Sequence, residues 1–328
     1  MTVAEESQAG EARRAAVALA REGGFDETAQ SCLAIVVTEL ATNIVKHAGE
    51  GILFLRSTKR RNTDVVEVLA IDRGPGMDVK RALRDGYSTA GTAGTGLGAV
   101  ERLSAWFDVT SAPAAGTVVL ATVAGGGRPS VRQPTLDVGV IRVPMKGEDV
   151  CGDGWAWRDG DGVTTLLVVD GLGHGPAAFD AAKAAVTAFE TGRGHAPGPV
   201  LERVHAALRP TRGAAVAAAS VDTRRRIVTF AGIGNIMGTV VGDGNDRQMV
   251  SHAGIAGHDA RRIAEFTYPW PPGGVIVLAS DGLITHWDLR KYPGLLARDP
   301  SVIAGVLYRD FNRGRDDLMI VVARQPQP

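Results

Sequence analysis

Val168-Val169-Asp170-Gly171-Leu172-Gly173-His174-Gly175 is the stretch that decides how this chain is read. A β-branched apolar run stops on an aspartate, turns on glycines and leads into the alanine-rich stretch 177–189, which reads as a helix. Three further segments repeat the setting. Asp153 lies in Cys151-Gly152-Asp153-Gly154-Trp155, Asp281 lies in Leu278-Ala279-Ser280-Asp281-Gly282-Leu283, and Asp316 and Asp317 directly precede the apolar run 318–322. An Asp-Gly pair alone is a common turn; its recurrence at strand ends carries the reading. Carboxylates ending buried strands converge at one sheet edge, and like charges do not sit together without a counter-charge. Oxygen ligands without Cys or clustered His suit hard cations, Mg2+ or Mn2+. A pair of such ions can activate water and clamp a phosphoryl oxygen.

Outward from this stretch, residues 138–143, 163–169, 214–221, 227–231, 237–241, 275–279 and 318–322 read as strands. Residues 200–208 and 302–311 join 177–189 as helices. Many strands with two consecutive helices inserted predict a β-sandwich flanked by helices. The Asp-Gly-x-Gly-His-Gly turn after a valine-rich strand resembles the metal-dependent protein phosphatases, specifically the SpoIIE-type serine/threonine branch, over residues 137–323. That resemblance implies an αββα sandwich of the PPM type and hydrolysis of protein phosphoserine or phosphothreonine with two Mn2+ or Mg2+ ions. It makes Asp153, Asp170, Asp281 and Asp316 metal ligands, with the Gly171 carbonyl. His174 and Gly175 open a two-helix element that helps order the site. Two positions depart from the pattern: Cys151 replaces a usual glycine, and Met319 replaces a usual threonine. The second leaves Asp316 and Asp317 in competition as ligand, with Asp316 favoured. The turn Ala231-Gly232-Ile233-Gly234-Asn235-Ile236, Trp287, Tyr308-Arg309-Asp310-Phe311 and Arg313-Gly314-Arg315-Asp316-Asp317 look most similar to the small phosphatases that reset bacterial stressosomes. His252, His258 and His286 have no metal-ligand spacing and read as surface or core residues.

The first half carries three other clusters. Residues 11–21 and 29–47 read as helices, and in the second Leu33, Ile35, Val36, Val37, Leu40, Ile44 and Val45 supply a broad apolar face. Glu39 and Asn43 stand four residues apart on that helix and share a face. Asp72-Arg73-Gly74-Pro75-Gly76 follows a strand, 65–71, and Gly94-Thr95-Gly96-Leu97-Gly98 opens a helix, 96–104. Glycines at a helix start let backbone N–H groups meet phosphate. Strands at 52–57, 106–110 and 117–123 complete an α+β layer with helices on one face of an antiparallel or mixed sheet. Each cluster is weak alone, but their order resembles the GHKL ATPase superfamily over residues 11–123, and within it the anti-sigma-factor serine kinases that phosphorylate STAS-domain antagonists. The resemblance implies a Bergerat α/β sandwich that binds ATP and Mg2+. Asn43 would bind Mg2+, and Glu39 would be the catalytic base for a substrate serine. Asp72 would read the adenine amino group. Gly74, Gly76, Gly94, Thr95, Gly96, Leu97 and Gly98 would form the lid and phosphate cradle. His47 reads as a polar residue ending the helix; Lys46 either reaches phosphate or is solvated.

Gly125-Gly126-Gly127-Arg128-Pro129 opens a linker, which sets domains at 1–125 and 137–328 around 126–136. Lys plus Arg and Asp plus Glu both number 36, so a basic nucleic-acid-binding face is not expected. No apolar run approaches the ~18 residues of a membrane span, and residues 1–24 carry no secretory-type apolar segment. Two cysteines are no disulfide framework, which points to a reducing, cytoplasmic setting. Glycine is in surplus, 42 of 328 residues, against roughly 7% on average. The whole reads as a bifunctional bacterial regulator of a stressosome-like switch, kinase in one half and phosphatase in the other. Its expected partner is a STAS-domain antagonist or similar phosphoprotein, and pairing into a homodimer is usual for such kinases. The alternatives are a phosphatase governed by an ATP-sensing domain, and a non-enzymatic module that sequesters a regulator.

Overall fold

The computed structural model describes residues 1–61, 63–83, 96–126, 134–242, 244, 246–260 and 262–326. They divide into two compact units, Met1–Pro134 and Thr135–Pro328.

The first unit comprises β1 (Thr2–Val3), α1 (Glu6–Glu22), α2 (Glu27–Asn43), β2 (Gly51–Arg60), β3 (Thr63–Asp72), α3 (Val79–Ala82), α4 (Gly96–Leu103), β4 (Trp106–Ser111) and β5 (Thr117–Ala124). Its sheet runs β1-β2-β3-β5-β4 and every pairing is antiparallel. α2 starts at Asp26, whose carboxylate accepts a hydrogen bond from the Ala29 N–H at 2.8 Å and satisfies one free donor of the first turn. It ends in a π-helical turn, Ile44–Ala48. The ridge Ala9, Ala12, Ala16 and Ala20 lets α1 approach α2 closely. Leu33, Val36, Val37, Leu40, Ala41 and Ile44 pack α2 on Val66, Val68 and Ala70 of β3 and on α4.

The segment Glu27–Ala48 is long and apolar enough by length and composition alone to cross a membrane. Its apolar face is the one buried in this core, and a core helix carries the same apolar run as a membrane span.

The second unit comprises β6 (Asp137–Val143), β7 (Asp153–Gly160), β8 (Val163–Gly171), α5 (Pro176–Thr191), α6 (Pro197–Leu208), β9 (Ala214–Asp222), β10 (Ile227–Ile233), β11 (Met237–Val241), β12 (Arg247–Met249), β13 (Phe266–Pro269), β14 (Val275–Ala279), α7 (Pro300–Phe311) and β15 (Leu318–Arg324). Two five-stranded antiparallel sheets, β13-β10-β9-β8-β7 and β12-β11-β14-β15-β6, share one core. α5 and α6 cover the first sheet and α7 the second, giving four layers. Side-chain alternation explains why the strands read as continuous apolar runs. On β8, Leu166 and Val168 enter the core between the sheets, while Leu167 and Val169 pack under α5 and α6.

Strands β7, β12 and β13 are additions to the sequence reading. β7, Asp-Gly-Trp-Ala-Trp-Arg-Asp-Gly, looks like a loop by composition, yet it pairs with β8 along its whole length. Its turn, Asp161-Gly162, has positive φ at both residues, 54° and 80°, the two-residue hairpin geometry that Asp-Gly favours.

Candidate active sites

Strand parity places the acidic residues of the second unit. Asp170 continues Leu166 and Val168 toward the gap between the sheets. Asp153 lies directly across from it in the β7–β8 pairing and is 1% exposed. On the facing sheet Ser280 continues Ile276 and Leu278, and Asp317 precedes Met319 and Val321, so both take the inward parity. Asp281 and Asp316 take the outward parity; Asp281 is half-buried and Asp316 exposed.

Hydrogen bonds tie the two sheets together here. The Ser280 hydroxyl donates to Asp153 Oδ2 at 2.7 Å and accepts from the Met319 N–H at 2.8 Å. Both Asp317 oxygens are committed, accepting from the Met145 and Gly152 N–H groups at 2.8 Å each. The Asn235 amide, in the turn between β10 and β11, donates to Asp281 Oδ2 at 2.8 Å. Ser280, Asn235 and the bracing role of Asp317 were missed by motif reading; parity along β14 is the signal for Ser280.

The cluster is electrostatically uncompensated. Burial, then the charge of Asp170, holds the Asp153 carboxyl well above the usual carboxylate range, with the Ser280 bond opposing. Burial and then Asp281 and Asp316 push Asp170 up to about 7. Asp281 is also raised, by burial and Asp316, against the opposing pull of Arg313 and the Asn235 bond. Asp153 Oδ1 is buried with no hydrogen-bond partner among the described residues. A bound cation would satisfy that oxygen and relieve the repulsion, so the residues fit a metal centre. Among the described residues no three His, Cys, Asp or Glu side chains by themselves form a cage for one ion. Cys151 is inert in this setting, since burial and then Asp153 push its thiol up to about 12.

The glycines beside the aspartates serve close packing. A Cβ on Gly171 would lie 2.3 Å from the Ala178 carbonyl oxygen, and one on Gly282 2.2 Å from that of Asp317. Substitution of Ser280 by alanine strands one Asp153 oxygen and the Met319 N–H. We expect a loss of roughly 2 to 6 kcal/mol, at about 1 to 3 kcal/mol for each of the two buried orphan groups, read by denaturant unfolding; an unchanged midpoint would refute the bridging role.

In the first unit Glu39 and Asn43 are half-buried on α2, and neither side chain makes a hydrogen bond among the described residues. Asp72 closes β3 on the helix side of the sheet, and its Oδ1 accepts from the Gly74 N–H at 2.8 Å. The π-turn brings α2 to this loop: Ala48 stands where a Gly74 Cβ would fall, 2.8 Å away, and Ile44 meets Gly51. Gly76 has φ 73°, and a Cβ there would sit 2.0 Å from the Ala112 carbonyl oxygen. Gly96, Leu97 and Gly98 form the first turn of α4, with Leu97 and Gly98 buried. Gly94 and Thr95 lie outside the described residues.

An antiparallel sheet with a helix-borne Glu/Asn pair, and a four-layer sandwich with aspartates at one end, define a kinase-like ATPase domain joined to a phosphatase-type domain. Residues 2–123 match the histidine kinase-like ATPase domain, and residues 160–326, about half of the chain, match Stage II sporulation protein E (SpoIIE). The chain belongs to the SpoIIE family, carrying that ATPase domain in its first unit. The serine/threonine-protein kinase RsbT of Bacillus subtilis (strain 168) is 35% identical over 104 residues, 31% of this chain and 78% of RsbT. The phosphoserine phosphatase RsbX of the same organism is 22% identical over 188 residues, 56% of this chain and 92% of RsbX. A solved structure from work on the bacterial stressosome, as a modular system adapted to control secondary messenger signalling, is 28% identical with a TM-score of 0.52. That match covers 58% of this chain and 99% of the other.

Proposed function

We propose that this protein is a two-way phosphorylation switch: its second unit removes phosphate from serine or threonine of a STAS-type regulator, and its first unit adds it. The reading is supported by one observation above the others: Asp153 and Asp170 stand opposite each other on β7 and β8, within reach of the Asp281 and Asp316 charges, with a buried Asp153 oxygen left unpaired. Asp153, Asp170, the Gly171 carbonyl, Asp281 and Asp316 would hold Mn2+ or Mg2+. Asp316 is preferred to Asp317 because both Asp317 oxygens already brace the β6–β7 loop, while the charge of Asp316 reaches Asp170 and Asp281. When bound, the ions supply charge neutralisation for phosphate and activation of water. Ser280 and Asn235 fix the carboxylate orientations. Mn2+-dependent release of phosphate from a phosphoserine STAS protein, or from p-nitrophenyl phosphate, tests the reading; no release with either substrate would end it.

In the first unit Asn43 would hold Mg2+ and through it the ATP phosphates, and Asp72 would accept a hydrogen bond from the adenine amino group. Gly74, Gly76, Gly94, Thr95, Gly96, Leu97 and Gly98 would bring backbone to the nucleotide. Glu39, one helical turn before Asn43, would take the proton of the incoming hydroxyl. A positioned base contributes about 10²- to 10⁴-fold. Glu39→Ala is therefore expected to keep ATP affinity and lose transfer by that factor, read by calorimetry with ATP and by labelled-phosphate transfer to a STAS partner. Transfer at the wild-type rate would remove Glu39 as base. Balanced charge and two free cysteines support a cytoplasmic site of action.

A further inference from the structure

We propose that Arg313 anchors phosphate at the aspartate site, its guanidinium gripping the phosphoryl oxygens of a phosphoserine or phosphothreonine side chain. This rests on the phosphatase reading of that site. A phosphate dianion approaching five aspartates meets repulsion that a cation at the mouth must offset, and a guanidinium fork matches phosphate geometry.

The backbone holds Arg313 in place. Its N–H donates to the Gly282 carbonyl at 2.9 Å, the Ile284 N–H donates to the Phe311 carbonyl at 2.9 Å, and Leu283 and Asn312 form a bridge between those bonds. The Asn312 side chain accepts from the Gly314 N–H at 2.8 Å and closes the turn. The segment before Asp316 is thereby zipped onto the loop that carries Asp281, and the charge of Arg313 acts on Asp281. Yet the Arg313 side chain is exposed and makes no hydrogen bond or ion pair among the described residues. Arg142, on the Cys151 side of the cluster, is spent: it donates to the Cys151 carbonyl at 2.7 Å and lies over the Phe179 ring. A cation carried on backbone pinned beside the carboxylates, with its donors unused, suits an anionic ligand.

The test is calorimetric titration of inorganic phosphate into the Mn2+-saturated full-length protein, and of Mn2+ alone, for wild type, Arg313→Ala, Arg313→Lys and Arg315→Ala. We expect the phosphate Kd to rise roughly 10- to 100-fold in Arg313→Ala, as for loss of charged hydrogen bonds. Arg313→Lys should recover part of the loss, Arg315→Ala should stay near wild type, and Mn2+ affinity should not fall. Three results would overturn the assignment: unchanged phosphate affinity in Arg313→Ala; weaker Mn2+ binding with phosphate affinity intact, which would make Arg313 a brace for Asp281; or an equal loss in Arg315→Ala, which would reduce the effect to loop charge. Wild type that binds no phosphate with Mn2+ would fail the phosphatase reading as well, whereas a wild type that binds and an Arg313→Ala that binds equally fails this inference alone.

Discussion

Asp170→Asn is expected to cut Mn2+-dependent hydrolysis by about a thousandfold or more, while making the metal-free protein more stable at neutral pH. The activity loss follows from taking one charged ligand from a site where bound ions are asked for several kcal/mol of the barrier. The stability gain follows from the burial and repulsion that push Asp170 up to about 7. A carboxyl raised above its unfolded value contributes stability that is complete below the ordinary carboxylate pKa and is lost as pH rises through the folded one. For Asp170 that window runs from ~4 to about 7. Raised Asp153 and Asp281 act in the same direction. Asparagine cannot ionise, so the variant escapes its share of the loss, on the order of a few kcal/mol. Thermal unfolding in chelator at pH 5 and pH 8 reads this: the advantage of the variant over wild type should be larger at pH 8 than at pH 5. Mn2+ should raise the wild-type midpoint and leave that of the variant nearly unmoved. A variant as active as wild type would remove Asp170 from the site, and a stability gap unchanged between the two pH values would remove the repulsion argument.

The same aspartates show what sequence carries and what it does not. Valine-rich strands such as β8 and β15 are legible because burial on both faces leaves unbroken apolar runs, residues 166–169 and 318–323. β7 is not, because its pairing with β8 overrides a composition rich in Asp, Gly and Arg; only its Asp161-Gly162 turn betrays the hairpin. The aspartates stand out by their glycine neighbours, but those glycines have another cause. Gly171 and Gly282 are required by the Ala178 and Asp317 carbonyls, and Gly76 by Ala112, so part of the glycine surplus reflects backbone packed on backbone. Asp316 and Asp317 are indistinguishable by motif with Met319 in place of threonine. Parity separates them, sending Asp317 inward to two N–H donors and Asp316 outward. Ser280 carries no motif at all, and its bridge between sheets arises only when both sheets are assembled.

Asp72→Ala is expected to weaken ATP binding by about 100-fold or more, with Asn43→Ala weakening it comparably but only when Mg2+ is present. Asp72 closes β3 on the face covered by α2, and its Oδ1 is already engaged by the Gly74 N–H. The carboxylate holds the turn through the Gly74 N–H, and on the proposed reading it also accepts from the base. Removing it forfeits a charge-assisted bond to the base, about 1.5 to 3 kcal/mol, and also frees the turn, so the loss exceeds that of one contact. Asp72→Asn separates the two parts. An asparagine oxygen still accepts from Gly74, but it offers weaker acceptance to an adenine amino group, so the loss should be intermediate. Asn43 acts through the ion, and its alanine variant should lose affinity in Mg2+ and match wild type in chelator. Calorimetry with ATP, with and without Mg2+, reads all three; an Asp72→Ala protein binding ATP as wild type does would dismiss the nucleotide assignment. The same variants distinguish the readings of the whole chain. If the first unit is a kinase, Asp72→Ala abolishes transfer to a STAS partner and leaves Mn2+-dependent hydrolysis alone. If hydrolysis falls together with ATP binding, the first unit is instead the sensor that governs the second.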